Sequence, residues 1–243
     1  MYSVVKLTND HLPLIEQFCK ECDRAGYENN SSVEKMKFGA EYDLREVPNF
    51  WGVITDDKLI SVSGCHRWRG QGPLDGIKFM MRCLFRSATL PEYEGVVPGL
   101  SKNHMNSLPF SVMMPYQINY GLQNGVKHFY ITTSSGDHDA SGKMKRTHRA
   151  LQLLERNKIV KFAGEGFFYS TIQTKWELNL DAYLEALRAF HPVREKLQIG
   201  VDREYLDIIH NGFSTSWEGF YTPLPDDLDT YTIDLFDTRN RQS

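Results

Sequence analysis

The sequence predicts an α/β (α+β) fold with a C-terminal extension, and three stretches carry that prediction. Phe50-Trp51-Gly52-Val53-Ile54 and Leu59 to Cys65 read as strands, and Asp56-Asp57-Lys58 between them is short enough for a hairpin. Phe79 to Ser135 reads strand, loop with glycines, helix, strand, an arrangement that leaves backbone N–H groups free at a helix start. From Asp181 the chain turns less regular and more acidic, closing on Asp226, Asp227, Asp229, Asp234 and Asp237.

Taken in order, Met1 to Leu7 alternates apolar and polar residues as an opening strand does. Thr8-Asn9-Asp10 offers capping side chains, and Leu12, Ile15, Phe18, Cys19 and Cys22 follow at helical spacing. Cys19 and Cys22 share one face of that helix with no second cysteine or histidine pair to complete a zinc site, so core packing is expected of them. Asn29 to Ser32 reads as a loop and a second helix start, running through Lys37. After the hairpin, His66-Arg67-Trp68-Arg69-Gly70 sets an aromatic between two arginines. It suits base stacking or an acidic substrate, but a strand end with solvated arginines is the favoured reading.

Phe79 to Phe85 is an apolar run broken by Arg82, and Pro91 to Gly99 cannot continue it as a strand. Ser107 to Gln123 has helical spacing, with Leu108, Val112, Met113, Tyr116 and Tyr120 on or near one face; Asn124-Gly125 stops it and Val126 to Thr132 alternates as a strand. A helix from about Lys143 buries Met144, Thr147, Leu151 and Leu154 and shows Lys143, Lys145, Arg146, Arg149 and Arg156 to solvent. Ile159 to Phe162 and Phe167 to Leu178 read as two strands. Asp181 to Phe190 reads as a short helix ending before His191-Pro192, because proline disfavours helical geometry in the residue before it.

At 243 residues, with 41% hydrophobic and 24% charged residues, the chain can bury a sizeable core. A net charge of -3 supplies no bulk attraction for nucleic acid or an anionic membrane. No apolar run is long enough for a membrane span, and the four scattered cysteines suit a reduced, cytoplasmic protein.

The order strand, helix, helix, hairpin, third strand, loop, helix, strand, helix, two strands resembles the GNAT N-acetyltransferase superfamily over Met1 to Asn179, with Leu84 to Ser135 bearing the motif. Leu90-Pro91-Glu92-Tyr93-Glu94-Gly95 resembles the segment before the family's glycine turn, and Gly95 and Gly99 resemble two of its glycines. Val96-Val97-Pro98 departs from the family's R/Q-x-x-G-x-G, and Pro98 has no N–H to offer a phosphate. Lys102 offers charge in place of the missing arginine. The resemblance implies a mixed, mostly antiparallel sheet flanked by helices in residues 1–179, with 180–243 packed on it as a helix and acidic extension.

It further implies an enzyme that moves an acetyl group from acetyl-CoA, its co-substrate, to an amine by direct attack. Phe85, Arg86, Gly95, Val96, Val97, Gly99, Leu100, Ser101 and Lys102 are the expected cofactor-binding residues. Glu94 and His66 are candidates for the base, with Asp137 and His138 behind them, and Tyr169 for the acid. Ser134, Ser135 and Asp137 are expected at the acceptor, a small-molecule or macromolecular amine. Asp137-His138-Asp139 with His148 lacks a recognised metal spacing, so no metal is expected. Two other readings stand beside this one: a binding module of the same fold without catalysis, which Pro98 favours, and a nucleic-acid-modifying enzyme, as in phage DNA-modifying proteins similar to this superfamily. The basic face from Lys143 to Arg156 favours the latter and the net charge opposes it. The oligomeric state is open, a homodimer being compatible.

Overall fold

The structure, a computed structural model, describes residues 2–24, 49–67, 80–94, 107–134, 146–168 and 171–214. The second helix start expected near Asn29 to Lys37, the Trp68-Arg69-Gly70 segment and the acidic C-terminal stretch lie outside them. One sheet of seven strands organises the described residues, in the order β1-β2-β3-β4-β5-β7-β6. The strands are β1 Ser3–Lys6, β2 Asn49–Thr55, β3 Lys58–Arg67, β4 Met80–Thr89, β5 His128–Ser134, β6 Val160–Phe168 and β7 Thr171–Leu178. Every neighbouring pair is antiparallel except β4–β5. The mixed, mostly antiparallel sheet is therefore the one the sequence led to. Asp56 and Asp57 turn the β2–β3 hairpin with φ of 48° and 57°, the left-handed pair a two-residue turn requires.

Helix α1 (Leu12–Arg24) packs on one face of the sheet, where Ile15, Phe18, Cys19 and Cys22 join Phe50, Leu59, Val62, Ala88 and Leu90 in a core cluster. The two cysteines pack, as expected of them. The opposite face carries the larger core and the helix between β4 and β5, a π-helical turn at Leu108–Met113 continuing into α2 (Met114–Gln123). Gly121 near its C-terminus lies against Met81 and Phe129, and Gln117 one turn earlier reaches Leu84. The helix thus runs antiparallel to β4, with its N-terminus toward the C-terminal ends of β4 and β5. Helix α3 (Arg146–Arg156) lies on this same face, burying Leu151 and Leu154 beside Trp176.

Several expectations change. The strand expected over Val126 to Thr132 is shifted two residues, to His128–Ser134, because the Gly125 turn (φ 78°) spends Val126 on a bond back to Gly121. The strand expected to begin at Phe167 begins at Thr171, since Phe167 and Phe168 complete β6 and pair with Ile172 and Thr171. The helix expected to end before His191-Pro192 runs on as α4 (Leu180–Leu197), with Pro192 inside it. Buried Tyr183, Leu187, Phe190 and Arg194 hold both halves of α4 to one surface, and that packing outweighs proline's local cost. A further helix, α5 (Arg203–Asn211), follows with Asp202 as its cap.

These C-terminal helices cover the outer side of the α2 segment, which explains why that helix is buried almost all round where its sequence led to one apolar face. Pro115 has no N–H, so a carbonyl one turn upstream lacks its usual donor. The Tyr183 hydroxyl donates to the Phe110 carbonyl, and Arg194 Nη1 donates to Ser111 O at 3.1 Å and Val112 O at 3.3 Å. Arg194 is fully buried and also donates to Ile199 O, Gly200 O and the Tyr116 hydroxyl, which itself donates to Asp202 at 2.9 Å. Gly200 N donates to Tyr2 O, which ties this segment to the start of the chain.

Candidate active site

The one parallel pairing among the seven strands is short. β4 and β5 pair from Met80–His128 to Cys83–Ile131 and no further. Beyond that point β4 follows β3 through Phe85–Gly64, Ala88–Val62 and Thr89–Ser61, while β5 follows β7 through Thr132–Lys175, Thr133–Thr174 and Ser134–Gln173. A gap therefore opens between Leu84 and its successors on one side and Thr132 and its successors on the other.

The cause is in β4. Its register against β3 slips twice, between Arg82 and Phe85 and again between Phe85 and Ala88, so extra residues crowd this strand and bend it. At the first slip Leu84 takes φ 56°, a left-handed geometry unfavourable for leucine. Buried Gln117 holds it there: its Oε1 accepts from Leu84 N at 3.2 Å while its Nε2 donates to Ser63 Oγ at 2.9 Å. Ser63 is bonded in turn to Ser87 Oγ at 2.8 Å, across the second slip.

Across the sheet, on the face away from α2, His66, Arg82, Tyr130, Glu177 and Lys161 stand in register as one polar row just below the fork. Desolvation raises the Tyr130 hydroxyl above its ordinary range, with Glu177 adding to it. His128 Nδ1 lies 3.0 Å from Glu177 Oε1, and Thr132 donates to Gln173 at 2.7 Å on the same face. Thus one side of the gap is walled by helices and the other by hydrogen-bonding and charged side chains.

Of the expected catalytic residues, His66 is buried at the end of β3, so β4 separates it from the gap while the polar row connects them. Glu94 ends the turn Pro91–Tyr93 that follows β4, its N–H bonded to Pro91 O. That turn is pinned by Lys58, whose Nζ sits 2.8 Å from both Glu92 and Glu21 of α1. Tyr169 lies outside the described residues, and so do Gly95, Val96, Val97, Gly99, Leu100, Ser101, Lys102, Ser135, Asp137 and His138. Phe85 and Arg86 follow Leu84 on the β4 flank of the gap, and Ser134 ends the β5 flank. Among the described residues no group of His, Cys, Asp or Glu is placed to hold a metal, and no helix is long and apolar enough to cross a membrane.

The helix start at the gap's mouth is partly spoken for: Ser107 Oγ accepts from Phe110 N, and Pro109 has no N–H. Sequence reasoning missed Gln117, one of three buried polar residues, with Ser111 and Asn119, in a mostly apolar helical segment.

No protein-family model and no curated protein matches the chain. Among solved structures, an N-acetyltransferase from Staphylococcus aureus Mu50 is similar at 10% identity, covering 74% of this chain and 98% of that one with a TM-score of 0.43. AAC(6')-Ib in complex with ribostamycin and coenzyme A is similar at 6% identity, over 75% and 95% of the two chains, TM-score 0.48. A putative acetyltransferase from Salmonella typhimurium, solved with acetyl-CoA, shows 10% identity over 74% and 94%, TM-score 0.44.

Proposed function

We propose that the protein is an acyl-CoA-dependent N-acyltransferase, transferring acetyl from acetyl-CoA to an amine. The observation that carries the reading is the fork between β4 and β5. It is a gap in the middle of a sheet, kept open by a bulge at Leu84 and a buried glutamine. An interior gap of this kind exposes backbone groups to an extended ligand, as a strand would, without giving up the sheet on either side. A pantetheine arm has that shape, and its thioester would reach the fork.

The helix-walled side receives the donor, because the α2 segment starts at the gap's mouth; the polar row faces the acceptor. In the reaction the neutral amine nitrogen attacks the thioester carbonyl carbon, the C–S bond breaks, the amine gives up a proton and the thiolate takes one. Glu94, beside the end of β4, and His66, through the polar row, are the proposed proton acceptors. Tyr169 is the proposed donor to the thiolate. Ser134, Ser135 and Asp137 would meet the acceptor, and the segment from Gly95 to Lys102 the phosphates. Residues 1–179 form the transferase domain on this reading, and 180–243 its packed extension.

Isothermal titration with acetyl-CoA tests the reading, followed by free-thiol release with a panel of small amines and peptides. Heat on titration and amine-dependent thiol release are expected. Absence of heat and of any thermal shift with every short acyl-CoA would overturn it.

A further inference from the structure

Helix α3 presents a stripe to solvent that the fold does not use. Leu151 and Leu154 turn inward, which leaves Arg149, Leu153 and Arg156, four and three residues apart, on the opposite side. Both arginines are exposed, and neither is hydrogen-bonded or ion-paired among the described residues. Glu155, the one acidic residue of α3, is turned to the flank, where its Oε1 accepts from Phe162 N at 2.9 Å. Leu153 is 42% exposed. One exposed leucine means little by itself. Set between two unpaired arginines, it completes a basic–apolar–basic stripe about 10.5 Å long, seven residues at a rise of 1.5 Å.

The chain's own end supplies the complement. The described residues stop at Ser214, whose N–H is held by Asn119 Oδ1, and 29 residues follow. Those 29 include Asp226, Asp227, Asp229, Asp234 and Asp237, and without these five charges the net -3 of the chain would turn positive. Asp234-Leu235-Phe236-Asp237 is an acidic–apolar–acidic run. Polyproline II geometry, with three residues per turn, brings its two carboxylates to one side about 9 Å apart, a close match to the arginines. Asp226 and Asp229 share that spacing but enclose a third aspartate and one leucine, whereas Leu235 and Phe236 give the larger apolar complement to Leu153. Asp234 lies about twenty residues past Ser214, roughly 65 Å at full extension, which exceeds the path across a domain whose radius of gyration is roughly 17 Å.

We propose that the C-terminal segment docks on α3 of its own chain, with Asp234 and Asp237 paired to Arg149 and Arg156 and with Leu235 and Phe236 laid against Leu153. The contact straps the end of the chain along one of the helices that wall the gap. It also covers the basic stripe, which then no longer offers itself to other polyanions. Each exposed ion pair is weak alone. The tether makes the contact intramolecular, at an effective concentration on the order of mM, so weak pairs suffice. The contact needs no bound acyl-CoA, so it stands or falls independently of the transferase reading.

The test uses the full chain, 15N-labelled, with a nitroxide on Thr238→Cys. The four native cysteines are buried, so the label goes to the new thiol. Broadening of the α3 amides from Arg149 to Arg156 is expected at low salt, fading toward 1 M salt, where the screening length falls to about 3 Å. Arg149→Glu with Arg156→Glu should lower the docked-to-free ratio at least about tenfold and abolish the broadening. Both positions are exposed, so the melting temperature should hold. Adding Asp234→Arg with Asp237→Arg to that variant should restore the broadening, and Asp226→Asn with Asp229→Asn in the native background should leave it in place. No broadening on α3, broadening that survives the charge reversal, or a swap that restores nothing refutes the contact. A mixture of 15N chain without nitroxide and nitroxide-bearing chain without 15N should show no broadening; broadening there puts the segment on a second copy and overturns the proposal.

Discussion

Gln117→Leu is the substitution that most directly probes how the fork is kept open. In the native protein the Gln117 amide is buried, accepts from the half-buried Leu84 N–H at 3.2 Å and donates to Ser63 Oγ. Leucine fills similar space and supplies neither bond. Ser63 keeps its bond to Ser87, so the group left without a partner is the Leu84 N–H, at a cost of about 1–3 kcal/mol. Leu84 also sits at φ 56°, a geometry costing roughly 1–2 kcal/mol for a residue with a Cβ. Both terms push the same way: without the glutamine, β4 gains by relaxing to extended geometry and continuing its ladder with β5, which narrows the gap. A penalty of about 2 kcal/mol on the open form corresponds to roughly thirty-fold weaker acetyl-CoA binding. Isothermal titration reads that directly, and urea unfolding run beside it separates closure from loss of fold. Gln117→Glu, which still accepts from Leu84, should retain most of the affinity. Unchanged acetyl-CoA affinity in a folded Gln117→Leu protein would refute the reasoning.

Other expectations follow from the same packing. Arg194→Met strips donors from Ser111, Val112, Ile199 and Gly200 carbonyls and should cost about 3–5 kcal/mol by urea unfolding; Arg194→Lys should not rescue it, since an ammonium cannot reproduce the planar fork. Gly121→Ala would place a methyl 2.6 Å from both Met81 Cε and Phe129 Cε1; the methionine tip can yield but the β5 ring cannot, so a loss of about 1–3 kcal/mol in a thermal melt is expected. Lys58→Met should cost less than about 1 kcal/mol, shrinking further in high salt, because the lysine is 34% exposed and Glu92 53%. Burial raises the Glu204 carboxyl above its ordinary value of 4.5, with Asp202 adding and the Asn119 bond opposing. The folded state therefore holds that proton more tightly, and the stability it brings is present below pH 4.5 and lost as pH rises through the folded value. Glu204→Gln should flatten that fall in urea midpoints measured from pH 4 upward, roughly the range linkage makes visible.

The parts of the fold legible in the sequence are those whose signal is local. The hairpin announced itself through Asp56-Asp57-Lys58, and α1 through the spacing of Ile15, Phe18 and Cys22. What was not legible depended on partners far along the chain. Pro192 reads as a helix end until Arg194 is seen to have carbonyls to serve at Ser111 and Val112, more than eighty residues upstream. The break between β6 and β7 was misplaced because Phe167-Phe168 and the alternation after Thr171 look alike to a two-residue period. At the site, the sequence located the strand–helix–strand unit and its mouth. It gave no sign of the bulge, since nothing in Arg82-Cys83-Leu84-Phe85 marks a residue that will be left-handed.

The buried Arg194 also bears on how the chain is made. The central helix leaves the ribosome long before the residues that serve its upstream carbonyls. Until Arg194 and Gly200 emerge, Ser111 and Val112 lack their arginine, and the first strand lacks the bond from Gly200 to Tyr2. The emerging chain must therefore hold most of its sheet for many residues with the outer side of that helix still bare. Its core closes as a late event in synthesis, not progressively, and the stretch before closure is when it most needs shielding from aggregation.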